Sequence, residues 1–235
     1  MNNQPEKLVI SVHFSDLLEK ARGSGVHIAP LCDGEQFTDN PVLYRADRNV
    51  QVQRTGIGEF WHADHVHYSA GSMPNGEPIR SIGHWNRADQ AEIFQVTSGR
   101  VVMVVVLPES PHTVFMATYH PGEWCVMPFG VYHITYSPWV ESSVFNISCE
   151  SAPAAGDKYA RRPAPDVLLT MKAGTISVEA PPHTTVSTAP LSPALHSVPA
   201  GLEAFLPGAD EAALRDLQTE LAKLTAAGWP VGAVE

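Results

Sequence analysis

The sequence predicts an all-β protein that folds as a sandwich or a closed roll. Short β-branched and aromatic segments recur between residues 41 and 150, separated by turn residues roughly every 8–12 positions. Residues 101–106 form a continuous apolar run that is too rich in valine to favour a helix. Polar and apolar residues alternate near Glu92, which predicts a strand with Glu92, Phe94 and Val96 on one face.

Composition restricts the class of protein further. The 235 residues are 44% hydrophobic, enough for a sizeable core, and carry a net charge of −10. That charge argues against a nucleic acid or an anionic membrane as partner. No apolar stretch approaches the roughly twenty residues of a membrane span. A polar N-terminus without a signal-peptide core, and three widely spaced cysteines, predict a cytoplasmic protein.

The N-terminal part, residues 1–40, is predicted to be an extension that precedes the β region. Residues 8–12 have the composition of a strand. Ser15 is a suitable N-cap for a short helix over residues 16–22, which Gly23 and Gly25 would end. From residue 41 to 150 the pattern predicts the β barrel, with short strands at residues 42–44 and 50–53.

The C-terminal third changes composition at Glu150. Residues 151–179 are predicted to hold edge strands that pack on the barrel, and residues 180–208 a Pro-rich linker. Residues 209–235 predict an amphipathic helix that docks on the barrel or on a second subunit, with a leucine stripe at helical spacing: Leu214, Leu217, Leu221 and Leu224. We therefore expect a β domain that still folds when residues 180–235 are removed.

Three side chains in the central region are typical metal ligands: His84, Glu92 and His133. Imidazole and carboxylate groups bind Fe, Zn, Mn or Ni, and two histidines with one carboxylate leave coordination positions open for a substrate. Glu92 shares a face with apolar residues, where a carboxylate is costly to bury unless it is paired or binds a metal. The residues thus predict a divalent metal site of unknown identity.

The spacing around these ligands resembles the motifs of the cupin superfamily over roughly residues 40–150. The second cupin motif is matched by Gly122, Pro128, Gly130 and His133, with Ser137 where asparagine is usual. In the first motif, His84, Glu92 and Gly99 match, but Asn86 occupies the second histidine position. Within the superfamily the sequence looks most like the archaeal-type phosphoglucose isomerases.

The resemblance implies a double-stranded β-helix, the cupin jelly roll, with a short N-terminal helix and a C-terminal helical extension. It also implies a metal set of His84, Asn86, Glu92 and His133. Asn86 would be a neutral and weaker ligand than imidazole. The site is then expected to bind through three ligands, to prefer a harder ion, or to recruit another residue. A degenerate site without metal is the remaining interpretation.

His65 and His67 alternate on one face of a predicted strand, with Val66 and Tyr68 on the other face. One interpretation places the two histidines at the surface. The resemblance favours a second, in which they enter the barrel as substrate contacts or replace the imidazole absent at Asn86. The candidates for acid–base catalysis are Glu92, His65, His67 and Tyr132. The candidates for substrate binding are Tyr136, Arg80, Arg100 and Trp124.

Three functions fit these features. The resemblance favours a metal-dependent isomerase of a small sugar phosphate or related hydroxy-carbonyl compound, in which the metal polarises a carbonyl and a side chain moves a proton. Its weakness is the scarcity of basic residues for a phosphate. The alternative is an Fe(II) oxygenase with a two-His-one-Glu site. The third is a cupin without enzymatic activity that binds a small ligand. We expect a small-molecule substrate and a homodimer.

Overall fold

The computed structural model describes residues 7–31, 39–54, 60–88, 90–108, 110–127, 129–150, 162–188, 202, 205 and 208–226. The described part of the chain forms two helices and thirteen strands. The helices are α1 Phe14–Ser24 and α2 Glu211–Ala226. The strands are β1 Leu8–His13, β2 Val42–Arg54, β3 Phe60–Tyr68, β4 His84–Trp85, β5 Ala91–Ser98, β6 Val101–Leu107, β7 Ser110–Tyr119, β8 Trp124–Met127, β9 Tyr132–Tyr136, β10 Ser142–Glu150, β11 Leu168–Lys172, β12 Thr175–Glu179 and β13 Thr185–Ser187.

Two sheets make up the barrel. Among the described strands, six pair antiparallel in the order β1-β2-β3-β10-β5-β8, and five pair in the order β13-β7-β6-β9-β4. Apolar residues of both sheets, such as Phe94 and Met103, belong to one buried cluster. The predicted all-β jelly roll with short helices is confirmed.

Strand β6 is the apolar run of residues 101–106, and every residue in it is buried. Met103 and Val105 belong to the main core, whereas Val102 and Val104 belong to a second cluster that includes Leu169 of β11. The β11–β12 hairpin therefore covers the outer face of the five-stranded sheet. A strand that is buried on both faces has a continuous apolar sequence instead of an alternating one.

The N-terminal segment contributes a strand to the barrel. Strand β1 pairs antiparallel with β2, so residues 8–13 form one edge of the six-stranded sheet. Helix α1 begins at Phe14, one residue before the predicted Ser15 cap, because the Asp16 carboxylate accepts a hydrogen bond from the His13 backbone N–H at 2.7 Å. It ends at Gly25, whose φ of 68° gives a left-handed C-cap.

Strand β2 is longer than the two short strands that the sequence predicted. It runs continuously over residues 42–54, with an irregularity in its pairing between Asp47 and Gln51. Asn49 lies inside this irregularity and has a φ of 55°, in the left-handed region that asparagine tolerates better than most residues. The polar residues between the two predicted short strands are therefore a bulge within one strand.

The C-terminal helix packs on the barrel. Leu214, Leu217 and Leu221 are buried in the main core cluster, and the backbone N–H of Leu202 donates to Gln95 Oε1 at 2.9 Å. The predicted leucine stripe is confirmed at these three positions, while the side chain of Leu224 lies outside the described part. Residues 189–201 of the predicted linker also lie outside it, but residues 185–187 form strand β13, which pairs parallel with β7.

Neither of the two described helices combines the length and the apolar character needed to cross a membrane.

Candidate metal centre

His84, Glu92 and His133 come together inside the barrel, as their spacing predicted. One ligand atom from each residue lies within 4.8 Å of the others, and all three side chains are buried. His133 Nε2 lies 3.0 Å from Glu92 Oε2. His84 stands directly opposite His133 in the β4–β9 ladder, with ring centroids 4.6 Å apart. The convergence of these three residues is confirmed.

Two amide side chains complete the immediate surroundings. Asn86 Oδ1 lies 3.2 Å from His133 Nε2, so the amide oxygen points at the same atom as the Glu92 carboxylate. Gln90 Nε2 donates to Glu92 Oε1 at 3.1 Å. Gln90 thus fixes the orientation of the carboxylate, in the way that outer-shell hydrogen bonds orient metal ligands.

Gly83 explains how the chain enters β4 so that His84 faces inward. Its φ is 78°, and a Cβ at this position would lie 2.4 Å from Cγ1 of Ile134 and 2.8 Å from the hydroxyl of Tyr132. Only glycine combines the left-handed backbone with this close approach. The glycine before His84 is therefore required by packing against β9.

The three ligands lie in the wall of a cavity of about 50 Å³ between the two sheets. Besides the ligands, its wall contains Tyr44, Arg48, Tyr68, Phe94, Thr135 and Asn146. One water needs roughly 10–15 Å³ of such volume, so the cavity holds the equivalent of only a few waters. It suits a compound of a few heavy atoms.

Arg48 and Asp64 form an ion pair at this cavity. Arg48 Nη1 donates to Asp64 Oδ2, and the backbone N–H of Asn49 donates to Asp64 Oδ1 at 2.8 Å. The side chain of Asp64 is 5% exposed and that of Arg48 is 26% exposed. Asp64 therefore holds the Arg48 guanidinium against the cavity wall. The backbone N–H of Asn49, in the bulge of β2, donates the second hydrogen bond that Asp64 accepts.

Tyr68 brings a phenol group into the same cavity. Burial raises the pKa of Tyr68 to about 12, although hydrogen bonds with Thr135 and Ser81 and the positive charge of Arg48 act in the opposite direction. The phenol therefore stays protonated at neutral pH, in the cavity wall and hydrogen-bonded with Thr135 and Ser81.

His65 and His67 do not enter the barrel, and the hypothesis that either one lines the cavity or replaces the missing imidazole is wrong. Val66 and Tyr68 line the cavity, so alternation directs the two histidines to the outer face of the six-stranded sheet. His65 Nε2 lies 3.2 Å from Thr97 Oγ1, and His67 Nδ1 lies 2.9 Å from Ser143 Oγ.

Tyr132 and Tyr136 also lie outside the cavity, which corrects their predicted roles in catalysis and substrate binding. Both belong to the second cluster, beneath the β11–β12 hairpin. They flank His133 on β9 at odd spacing, so an inward His133 requires both tyrosines to point outward. Burial raises the pKa of Tyr132 to about 12 and also raises the pKa of Tyr136.

The two predicted arginine contacts are structural. Arg80 is fully buried and pairs with Glu77 at 2.9 Å, and its Nη2 donates to the His27 carbonyl at 2.6 Å. Burial alone would lower the pKa of Arg80, but the Glu77 carboxylate raises it. Arg100 stacks over the Trp139 ring at 3.8 Å. Neither residue lines the cavity.

Trp124 was also predicted to contact the substrate, and the structure places it elsewhere. It stands opposite Gln95 in the β5–β8 ladder, whereas Glu92 and Phe94 are on the face that lines the cavity. Trp124 therefore lies on the outer face of the sheet.

Sequence reasoning missed Arg48, Asp64 and Tyr68. A signal was present in β2 and β3, because Tyr44, Ala46 and Arg48 alternate along one strand and Asp64, Val66 and Tyr68 along the next. Once Tyr44 is paired with Tyr68, as in the structure, both sets share one face. The sequence did not reveal this register, because the prediction of two short strands at residues 42–44 and 50–53 left residues 45–49 outside both.

The donor set fits a divalent cation. Two ligands about 2.1 Å from a common ion and at right angles lie about 3 Å apart, which matches the separation of His133 Nε2 and Glu92 Oε2. Two imidazoles with one carboxylate suit Fe, Mn, Zn or Ni. His84, Glu92 and His133 would hold the ion, and Asn86 Oδ1 is near enough to be a fourth, weaker ligand.

Comparison with known proteins supports the superfamily. Residues 83–162 match the family model described as Cupin, a segment that contains all three ligands. Among curated proteins, the search found no match.

The solved structures that match this chain are distant from it in sequence. A mutant of Bacillus subtilis oxalate decarboxylase OxdC is 15% identical with a TM-score of 0.36, over 48% of this chain and 27% of that chain. KdgF from Halomonas sp. is 13% identical with a TM-score of 0.34, over 51% and 91% of the two chains. An oxalate oxidase in complex with the substrate analogue glycolate is 14% identical with a TM-score of 0.33, over 40% and 44%.

This chain therefore spans only about a quarter of the length of the decarboxylase chain that it matches. Likenesses of this degree carry no argument about activity. The narrower resemblance to the archaeal-type phosphoglucose isomerases finds no support in these matches. The match to the Cupin model covers residues 83–162, about a third of the chain, and the observed jelly roll agrees with it.

Proposed function

We propose that this protein is a metal-dependent cupin enzyme that oxidises a small oxygen-bearing compound with dioxygen. One observation carries the proposal: His84, Glu92 and His133 lie together in the wall of a small cavity, which leaves space for a substrate beside a bound ion. When bound, an Fe(II) ion would supply redox chemistry with dioxygen, and other divalent ions would supply Lewis acidity.

The side chains around the cavity favour this reaction over proton abstraction by a separate base. Apart from the three ligands, the titratable residues in the described wall are Tyr44, Arg48 and Tyr68. A phenol with a pKa of about 12 and a guanidinium are poor bases at neutral pH. These side chains therefore position a substrate through charge and hydrogen bonds here, and none of them is suited to remove a proton from it.

A metal-dependent isomerase remains the second candidate, and Tyr68 favours it. The phenol stands in the cavity wall with the three ligands, where it would donate a hydrogen bond to a substrate carbonyl oxygen. A sugar phosphate is not the substrate we propose, since a cavity of about 50 Å³ is small for a molecule of that size. A small hydroxy-carbonyl compound fits this alternative better.

Oxygen uptake distinguishes the two reactions. Protein loaded anaerobically with Fe(II) is mixed with small hydroxy and oxo compounds in an oxygen electrode, with His84→Ala as the inactive variant. His112→Ala is the matched control, because His112 is exposed and does not line the cavity. We expect substrate-dependent oxygen uptake by the wild type and by His112→Ala alone. Proton exchange of a hydroxy-ketone in D₂O without oxygen uptake would select the isomerase. Metal binding with neither reaction would indicate a non-enzymatic binding protein.

We also propose a homodimer in the cytoplasm. Leu8 and Val9 are 56% and 71% exposed on the edge strand β1, and a second copy could cover them. Cys125 and Cys149 are buried free thiols, as in proteins of a reducing compartment. Light scattering of the wild type and of Val9→Lys tests the dimer, which should dissociate in the variant.

A further inference from the structure

Arg48 gives the cavity a feature that the metal set does not explain. Of the residues described in the cavity wall, it is the one arginine or lysine. Its side chain is 26% exposed, so it is neither a core residue nor a fully solvated one. A partly desolvated guanidinium costs free energy to retain, and a bound anion would offset that cost.

The arginine is held in a fixed orientation. Asp64, which is 5% exposed, accepts hydrogen bonds from Arg48 Nη1 and from the backbone N–H of Asn49. Asn49 adopts the left-handed backbone at the bulge in β2. The Asp64 carboxylate is thus fixed by the backbone of the bulge, and it fixes the Arg48 guanidinium in turn. Such support is typical of a preorganised binding group.

The charges in the site favour an anion once a metal is bound. A divalent ion and Arg48 bring three positive charges, against the two carboxylates of Glu92 and Asp64. Without the ion, the same groups carry a net negative charge. An anionic compound therefore gains affinity from the metal and from Arg48 together, in a pocket where charge interactions are stronger than in bulk water.

Size and charge together define the substrate class. A cavity of about 50 Å³ accommodates only a few heavy atoms. A guanidinium recognises a carboxylate through its planar fork of N–H donors, and a metal recognises a neighbouring hydroxyl or carbonyl oxygen. A compound that carries both groups on adjacent carbons matches both features.

We propose, on the basis of the proposed function, that the substrate is a small 2-hydroxy or 2-oxo carboxylate whose carboxylate group binds Arg48. Arg48 is then a specificity-determining residue, and Asp64 is the residue that positions it. The ligand's second oxygen faces the site of His84, Glu92 and His133.

Calorimetry with matched probes tests this assignment. The wild type is loaded with Zn(II), which is redox-silent, and its metal content is measured separately. Pyruvate is titrated as the carboxylate probe and hydroxyacetone as the neutral probe, since both have three carbons and a ketone. We expect pyruvate to bind more tightly than hydroxyacetone by about tenfold to a hundredfold, the scale of a charge-assisted hydrogen bond.

Variants identify the residue responsible. Arg48→Gln should lose this preference for pyruvate and retain the metal. Arg48→Gln combined with Asp64→Asn removes both charges of the pair and should give the same result, without leaving a buried carboxylate unpaired. Arg45→Gln is the matched control, because Arg45 is on the same strand but exposed, and it should behave as the wild type.

Each outcome has one meaning. Equal binding of pyruvate and hydroxyacetone by the wild type, or unchanged pyruvate binding in both Arg48 variants, overturns the inference while the metal site stands. A wild type that binds no Zn(II) overturns the proposed function and this inference with it.

Discussion

His133 Nε2 lies 3.0 Å from Glu92 Oε2, although His133 belongs to the five-stranded sheet and Glu92 to the six-stranded sheet. The two sheets therefore meet at this pair, with Phe94 packed against the imidazole at a centroid distance of 5.4 Å. Buried polar groups of this kind are stable when a partner satisfies them, and a cation between them would satisfy both at once.

Asn86→His tests what the departure from the cupin pattern does. Asn86 Oδ1 lies 3.2 Å from His133 Nε2, so an imidazole at position 86 would add a stronger ligand on the same side. We expect affinity for divalent metal to rise about tenfold or more. If the position near Asn86 is where substrate or dioxygen binds, turnover should fall at the same time.

Metal titration and oxygen uptake on the same Asn86→His preparation check this prediction. His65→Ala and His67→Ala serve as controls, because both histidines lie on the outer face, and neither change should alter metal affinity. Loss of metal in either control would contradict the placement of these residues.

Arg80 and Glu77 form a buried ion pair in the segment that precedes β4. Both side chains are fully buried, and Glu77 Oε1 also accepts hydrogen bonds from the Ala29 backbone at 2.7 Å and from Asn75 at 2.8 Å. Arg80→Met would leave the carboxylate buried without its cation, which costs about 3–5 kcal/mol. Urea denaturation should show a lower free energy of unfolding by this amount, while Arg45→Met, at an exposed arginine, should change little.

The buried tyrosines predict alkaline destabilisation. Burial raises the pKa of Tyr68 and of Tyr132 to about 12, while an unfolded tyrosine titrates near 10. A raised folded pKa contributes stability that is complete below about pH 10 and is lost as pH rises through about 12. At pH 11 the loss should be about 1 kcal/mol per tyrosine.

Urea denaturation at pH 9 and pH 11 measures this loss. Tyr132→Phe removes one titrating group, so its free energy of unfolding should fall less between the two pH values than that of the wild type. An equal fall in both proteins would contradict the assignment of the effect to Tyr132.

Leu217→Ala tests the docking of helix α2. Leu217 is fully buried in the main core cluster, so its truncation should cost about 2–5 kcal/mol in the free energy of unfolding. Lys223→Ala is the control at an exposed position of α2.

Removal of residues 180–235 should likewise destabilise the barrel, because the truncation takes away the buried leucines of α2. This prediction reverses the expectation from sequence. A barrel that unfolds at the same urea concentration after the truncation would contradict this account.

The sequence predicted the ligands well because two kinds of information agreed there. The motif spacing placed His84, Glu92 and His133, and alternation placed Glu92 on the same face as Phe94. The two interpretations that alternation could have corrected concern Tyr132 and Tyr136. An inward His133 already requires both to point outward, since side chains alternate along a strand.

Other features depend on long-range packing that a single sequence does not contain. The family resemblance favoured the interior over the surface for His65 and His67, yet Val66 and Tyr68 are the residues of this strand that line the cavity. Arg48 was missed because it lies in the bulge of β2, between the two short strands that the sequence predicted. The stripe at Leu214 and Leu217 predicted a helix, but only the structure shows that it covers the barrel.

The central claim is that His84, Glu92 and His133 hold one divalent ion, and metal analysis of the full-length protein tests it most directly. The wild type is purified without chelator or added metal and compared with Glu92→Gln, which removes the anionic ligand, and with the control Glu123→Gln, whose carboxylate lies at an exposed turn. The account predicts about one ion per chain in the wild type and in Glu123→Gln, and strongly reduced metal in Glu92→Gln. Absence of metal from the wild type, or equal metal content in all three proteins, would contradict it.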